Sequence, residues 1–272
     1  MRVWPENQVK WQFLLWIQRV ALTTFIFDVD GTLADTERDG HRVAFNRAFA
    51  EAGLDWNWDV GLYGELLAVT GGKERIRHFQ ELRPELVLPD QTPDFVARLH
   101  ASKTRIYTEM LARGLIPLRP GVRRLLVEAR RRGLRLAIAT TTTPDNVTTL
   151  LEHSLGAGST AWFEVIAAGD IVPRKKPAPD IYLHAMDQMG VRAEQCLAFE
   201  DSANGLRAAR DAGLTTVVTV SDYTRDHDFD GAALVLDSLG EPGQPCGVIR
   251  SGRIRGPLSV FDVDTAHRLL PQ

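Results

Sequence analysis

Two carboxylates close a run of residues that otherwise reads as buried strand. Phe25-Ile26-Phe27-Asp28-Val29-Asp30-Gly31-Thr32 starts apolar and ends on Asp28, Asp30 and a glycine. A core strand has no need of acids at its tip, and a spacing of two sets both on the same side of an extended chain. The chemistry open to such a pair is covalent phosphoryl transfer. Asp28 as nucleophile would take the phosphoryl group as an acyl phosphate that water can cleave. Asp30 would protonate the leaving alkoxide and afterwards take a proton from water, while Gly31 lets the chain turn sharply away.

Three further stretches complete that reaction. An apolar run over Leu134–Ala139 stops in the threonines 140–143, of which the Thr140 hydroxyl and the Thr141 N–H would bond phosphoryl oxygens. Lys176, within Lys175-Lys176-Pro177-Ala178-Pro179-Asp180, adds a positive charge. Cys196–Phe199 runs straight into Glu200-Asp201. A hard, oxygen-ligated cation, Mg²⁺, is expected among Asp28, the Asp30 carbonyl and Asp201, with Glu200 acting from behind the ligands. Taken singly, each has a plain structural reading: turn acids, β-forming threonines, a loop lysine, the start of a helix. Their occurrence as a set favours the catalytic reading.

The elements that must position these residues alternate. Beyond Pro120-Gly121, apolar strand runs over 134–139, 163–168, 196–199 and 215–220 are separated by helical periodicity, and residues 233–236 add a last strand. That alternation predicts an α/β fold with a parallel sheet and helices on both faces. Ligands of such sheets gather at the carboxyl ends of the strands, where Asp28, Asp30, Thr140, Thr141, Glu200 and Asp201 all fall and Lys176 follows in a loop. Between Thr36 and Gly114 no strand pattern occurs, and helices are expected over 37–53, 63–69, from Lys73 and over 93–113. The expected organisation is therefore a core of residues 21–35 and 115–272 interrupted by an all-helical insert, 36–114. Residues 1–20 read as an N-terminal extension, with Val20 a candidate start: Gln12, Gln18 and Arg19 make this stretch too polar to span a bilayer, and no cleavage site follows it. Thr143 and Asp264 are expected to cap helices, the latter a closing helix through Leu270.

Composition sets the outer limits. The 272 residues carry a net charge of −3, which argues against general nucleic-acid binding. Two cysteines, Cys196 and Cys246, form neither a disulfide framework nor a zinc site. A cytoplasmic monomer without membrane or nucleic-acid partners is expected. Gly156-Ala157-Gly158 lacks the third glycine of a dinucleotide loop, and Phe261-Asp262-Val263-Asp264 repeats the opening tetrapeptide without its glycine.

Asp28-Val29-Asp30-Gly31-Thr32, Thr140 after an apolar strand, Lys176 before Pro177, and Glu200-Asp201 stand in the order of the four short motifs of the haloacid dehalogenase superfamily of phosphohydrolases, which the chain resembles from about Thr23 to Val235. The resemblance implies a Rossmann-like core, Mg²⁺ and the roles given above, and the insert is similar to the α-helical cap domain of the β-phosphoglucomutase-like subgroup. Asp35–Arg42, Leu62–Leu67, Thr70–Arg75 and Ala168–Pro173 carry a closer resemblance, to xylulose-1,5-bisphosphate phosphatases of Calvin cycle operons. A bisphosphate needs a second cradle, and Gly71-Gly72 at a helix start beside Lys73 and Arg75 offers one. Glu37, His41 and Arg42 would bond sugar hydroxyls or the distal phosphate. Lys73 and Arg75 read equally well as solvated helix charges, and His41 as a residue bonded to backbone. The rival readings are a β-phosphoglucomutase-like phosphosugar mutase, a broad sugar-phosphate phosphatase and a catalytically degenerate binding module.

Overall fold

The strands form where apolar runs of three to five residues meet turn signals. A computed structural model describes residues 21–69, 71–86 and 93–270, so the expected extension over residues 1–20 lies outside the described residues. β1 (Thr24–Phe27), β2 (Arg135–Ala139), β3 (Val165–Ala167), β4 (Cys196–Glu200), β5 (Thr215–Thr219), β6 (Leu234–Leu236) and β7 (Val248–Arg250) make one sheet in the order β3-β2-β1-β4-β5-β6-β7. Every pairing is parallel except β6 with β7. β1 thus lies mid-sheet between β2 and β4, with Phe27 opposite Ile138 and Phe199. The antiparallel β7 was not expected; its three residues are exposed and too few to set up an alternation.

The period of two in β1 divides the core. Phe25 and Phe27 pack with Val122, Leu125, Leu126 and Ala129 of α5 (Val122–Arg131) and with α6 (Pro144–Leu155) and α9 (Val263–Leu269). Ile26 faces the other way, onto Ile181, Tyr182 and Ala185 of α7 (Asp180–Met189) and Ala208 and Ala209 of α8 (Ala203–Asp211). Both faces are covered, as a parallel sheet requires. Asp264 is not the cap of α9: Asp262 holds the extended conformation and its carboxylate accepts from Thr265 N at 2.7 Å, while Asp264 pairs with Arg132. Thr143 sits at the cap position of α6 but makes no side-chain capping bond.

Between β1 and β2 the chain makes the helical insert of α1 (Arg42–Glu51), α2 (Val60–Leu66), α3 (Gly72–Leu82) and α4 (Pro93–Ala112). Its centre is aromatic: Trp58 is fully buried, with ring centroids 4.7 Å from Phe45 and 4.8 Å from Phe49. The helix expected from Glu37 starts instead as a π-helical turn, Thr36–His41. Gly40 within it lies so close to Tyr107 and Ile116 that a β-carbon would clash with both.

Candidate active site

The sheet order delivers the acids to one place. Asp28 N–H donates to Phe199 O at 3.0 Å, which extends the β1–β4 ladder by one residue and sets Asp28 beside the end of β4. The chain then reverses at Gly31, whose φ is +81° and whose N–H donates to Ala34 O at 2.8 Å. A β-carbon at Gly31 would land on the Asp201 carboxylate, so only glycine allows this approach. Across the site, Lys176 Nζ donates to Asp28 Oδ1 at 2.7 Å and to Glu200 Oε1 at 2.6 Å, and Tyr182 Oη donates to the same Glu200 oxygen at 2.5 Å. Glu200 lies against Gly205 at the start of α8, where a β-carbon would also collide with it.

Carboxylate oxygens of Asp28, Glu200 and Asp201 lie within 4.8 Å of one another, all three residues buried. Burial first, then Asp28 and Glu200, pushes the Asp201 carboxyl well above its ordinary range. Burial pulls Lys176 down, but the Asp28 and Glu200 carboxylates outweigh it and hold the ammonium above the usual lysine range. Hard carboxylate oxygens in surplus over one ammonium are the donor set of a divalent oxygen-seeking cation. Asp30 stands apart from this cluster: Thr36 Oγ1 donates to its Oδ1 at 2.5 Å, and burial, reinforced by Asp28, raises it to about 7. Thr140 is buried at the tip of β2, its N–H donating to Ala167 O at 3.0 Å, whereas Thr141 is exposed.

The insert contributes a second polar group. Tyr63 Oη donates to Glu37 Oε2 at 2.6 Å, and Arg75 NH1 donates to Tyr63 Oη at 3.0 Å. Arg75 is buried and also donates to the Leu66 and Val69 carbonyls, at 3.1 and 3.3 Å. Lys103 Nζ donates to His41 Nδ1 at 2.8 Å and lies 4.9 Å from the Phe45 ring centroid. Burial, then the Lys103 charge, holds His41 well below its ordinary range, which favours the neutral imidazole. Burial lowers Lys103 to about 8 against the pull of Glu37. Arg42 NH1 donates to Trp58 O at 3.3 Å, and Lys73 projects from the first turn of α3 with its side chain exposed. A cavity of about 70 Å³ between the carboxyl ends of the strands and the insert is lined by Gly31, Glu37, Arg38, Asp201 and Tyr223.

Thr36, Tyr63, Lys103 and Tyr182 joined the site without being singled out in the sequence. For Lys103 a signal existed. It occupies the apolar stripe of α4 between Leu99 and Ile106-Tyr107, all buried, and a lysine in a core stripe demands a partner.

The chain belongs to the haloacid dehalogenase-like hydrolases, whose family model matches residues 22–213. It is a phosphatase of that family, built on the same parallel-dominated Rossmann-like sheet. Within the family it is similar to the plasmid-encoded CbbY of Cupriavidus necator, with 51% identity covering 82% of this chain and 88% of that protein. A mutant of CbbY from Rhodobacter sphaeroides, solved in complex with xylulose-(1,5)bisphosphate, shares 47% identity over 82% of this chain and 98% of that one, with a TM-score of 0.69. A putative β-phosphoglucomutase from Thermotoga maritima is 28% identical with a TM-score of 0.63, covering 78% of this chain and 93% of that one.

Proposed function

We propose that the protein is a Mg²⁺-dependent sugar bisphosphate phosphatase that works through an aspartyl-phosphate on Asp28 and takes xylulose 1,5-bisphosphate to xylulose 5-phosphate. The observation that carries this reading is the strand-end cluster, in which Asp28 adjoins one ammonium and two further carboxylates. Asp28, Asp201 and the Asp30 carbonyl would hold the cation, with Glu200 fixing Lys176 from behind. When bound, Mg²⁺ supplies charge neutralisation to an incoming phosphate. Asp28 attacks the phosphorus, the leaving sugar oxygen receives the proton of Asp30, and Asp30 then takes a proton from the water that cleaves the acyl phosphate. Lys176, Thr140 and the Thr141 N–H steady the phosphoryl oxygens.

The substrate is argued from the insert. Residues 36–114 would act as a cap that closes on the carboxyl ends of the strands and excludes water, with Glu37, His41, Arg42, Lys73, Arg75 and, added to these, Lys103 facing the sugar and its distal phosphate. Likeness to a CbbY solved with a bisphosphate supports the same substrate here. A monomer acting in the cytoplasm fits this reading; no described helix is long and apolar enough to cross a membrane. The β-phosphoglucomutase likeness keeps a mutase as the second reading. A panel of pentose and hexose mono- and bisphosphates distinguishes them. The expected result is Mg²⁺-dependent orthophosphate release, greatest with the pentulose bisphosphate. Isomerisation of a hexose phosphate with little release would establish the mutase, and no turnover of any sugar phosphate a binding module.

A further inference from the structure

Arg119 stands where the chain re-enters the core after the insert. Its N–H donates to Leu33 O at 2.9 Å and its neighbour Leu118 bridges Ala34, so the returning segment is laid against the chain that leaves Asp28 and Asp30. The side chain is 7% exposed and donates in several directions at once. NH1 reaches the Gly31 carbonyl and, at 2.8 Å, the Thr219 carbonyl; NH2 reaches the Val220 carbonyl at 2.5 Å and the Asp237 carbonyl at 2.8 Å. Asp35 Oδ1, at the exit to the insert, lies 3.4 Å from Nε. One guanidinium therefore spans the reversal after Asp28 and the carboxyl ends of β5 and β6.

A structural arginine buried in a core is usually matched to a carboxylate at close range, because carbonyl dipoles alone repay desolvation poorly. Here backbone carbonyls from three segments dominate, and one of them belongs to the turn that presses on Asp201. Moving Gly31 would move Asp28 and Asp30 relative to Asp201 together. We propose that Arg119 is a positioning residue for hydrolysis: it pins the Gly31 carbonyl, and with it both reacting carboxylates, to the fixed ends of β5 and β6. The proposal rests on the phosphatase reading above. Only a planar fork of donors fits the arrangement; a lysine presents its three donors from a single atom.

The test is steady-state phosphate release by Arg119→Lys and Arg119→Ala at saturating Mg²⁺, with circular dichroism and thermal unfolding alongside. Expected is a fall in kcat on the order of 10²-fold, the scale of an ångström of misplacement, with KM changed by less than about threefold. Millimolar guanidinium ion should restore part of the kcat of Arg119→Ala and none of that of Asp28→Asn. If the alanine variant does not fold, the lysine variant carries the measurement. Variants that unfold at lower temperature yet keep the wild-type kcat would make Arg119 a structural staple and overturn the proposal alone. Absence of phosphate release by the wild type would overturn the phosphatase reading and this proposal with it.

Discussion

At the ends of β1 and β4, Asp28, Glu200 and Asp201 cluster around a single ammonium, Lys176, whereas in the insert two cations, Arg75 and Lys103, lie near a single carboxylate, Glu37, which Arg75 reaches through the Tyr63 hydroxyl and Lys103 feels only as a nearby charge. The first group has negative charge to spare and the second positive. The charge at the strand ends is complementary to a cation, and that in the insert to an anion. Under the proposed function, a substrate with phosphates at both ends would answer both, one end at the strand-end carboxylates with their cation and the other drawn into the insert. The two groups also differ in how tightly they are made. Lys176 is held by two carboxylates at 2.6 and 2.7 Å, while Lys103 rests on a neutral imidazole and aromatic faces and keeps donors to offer.

The hardest way to break the comparison is at Asp28. Under the proposed reaction, Asp28→Asn removes the nucleophile and should cut phosphate release on the order of 10⁴-fold or more, with an unchanged circular dichroism spectrum because Lys176 keeps Glu200. Near-normal release would refute the covalent scheme. Asp30→Asn comes next, at about 10³-fold, the scale of one lost proton shuttle. Its pH signature has a definite sign. With the Asp30 carboxyl raised to about 7, the protonated form needed by the leaving group is lost as pH rises through that value. The single-turnover phosphorylation rate should therefore fall above pH 7 in the wild type and lose that limb in Asp30→Asn. A limb of unchanged position in the variant would assign the titration to another group.

This gradient follows what was legible in the sequence. Apart from Lys176, which sits in a loop well past the end of β3, the core residues follow an apolar run, so one strand pattern located both the strand and the acid at its tip, and the alternation with helices brought the tips together. The insert offered no such register. His41 meets Lys103 across 62 residues, through a helix pairing that no local pattern encodes. Arg75 is a candidate for the distal phosphate on spacing alone, and nothing in the sequence signals that it is buried with three of its five N–H donors on Tyr63 and two carbonyls, so that its charge rather than a free fork faces the insert. Of two aspartates two apart near the end of the chain, only the backbone conformation at Asp262 decides which one caps α9.

Within the insert, Lys103 should matter most to binding. Replacing it by methionine keeps the apolar stem and removes the charge, and should raise KM for the bisphosphate about thirtyfold, equivalent to ~2 kcal/mol for a charge-assisted bond. A sugar monophosphate should be affected much less. Because burial lowers Lys103 to about 8, the wild-type KM for the bisphosphate should climb as pH rises through 8 and the variant's should not. A KM insensitive to the substitution would place the distal phosphate elsewhere in the insert.

Lys73 gives the smallest effect and the sharpest discrimination. It is exposed on the first turn of α3, next to the glycines whose N–H groups form the expected cradle, and no hydrogen bond to another side chain fixes it among the described residues. A solvated charge of that kind attracts a phosphate through water and loses most of its pull to screening. Lys73→Ala should raise KM for the bisphosphate by only about threefold, with a steeper dependence on ionic strength in the wild type than in the variant. Lys103 should show little salt dependence, since burial shields its interaction. If Lys73→Ala instead exceeds Lys103→Met, the helix start of α3 is the seat of the second phosphate and the buried lysine only orients His41. Equal effects of Lys73→Ala on mono- and bisphosphate would remove Lys73 from that seat altogether, leaving Lys103 as the insert's cation for the distal end.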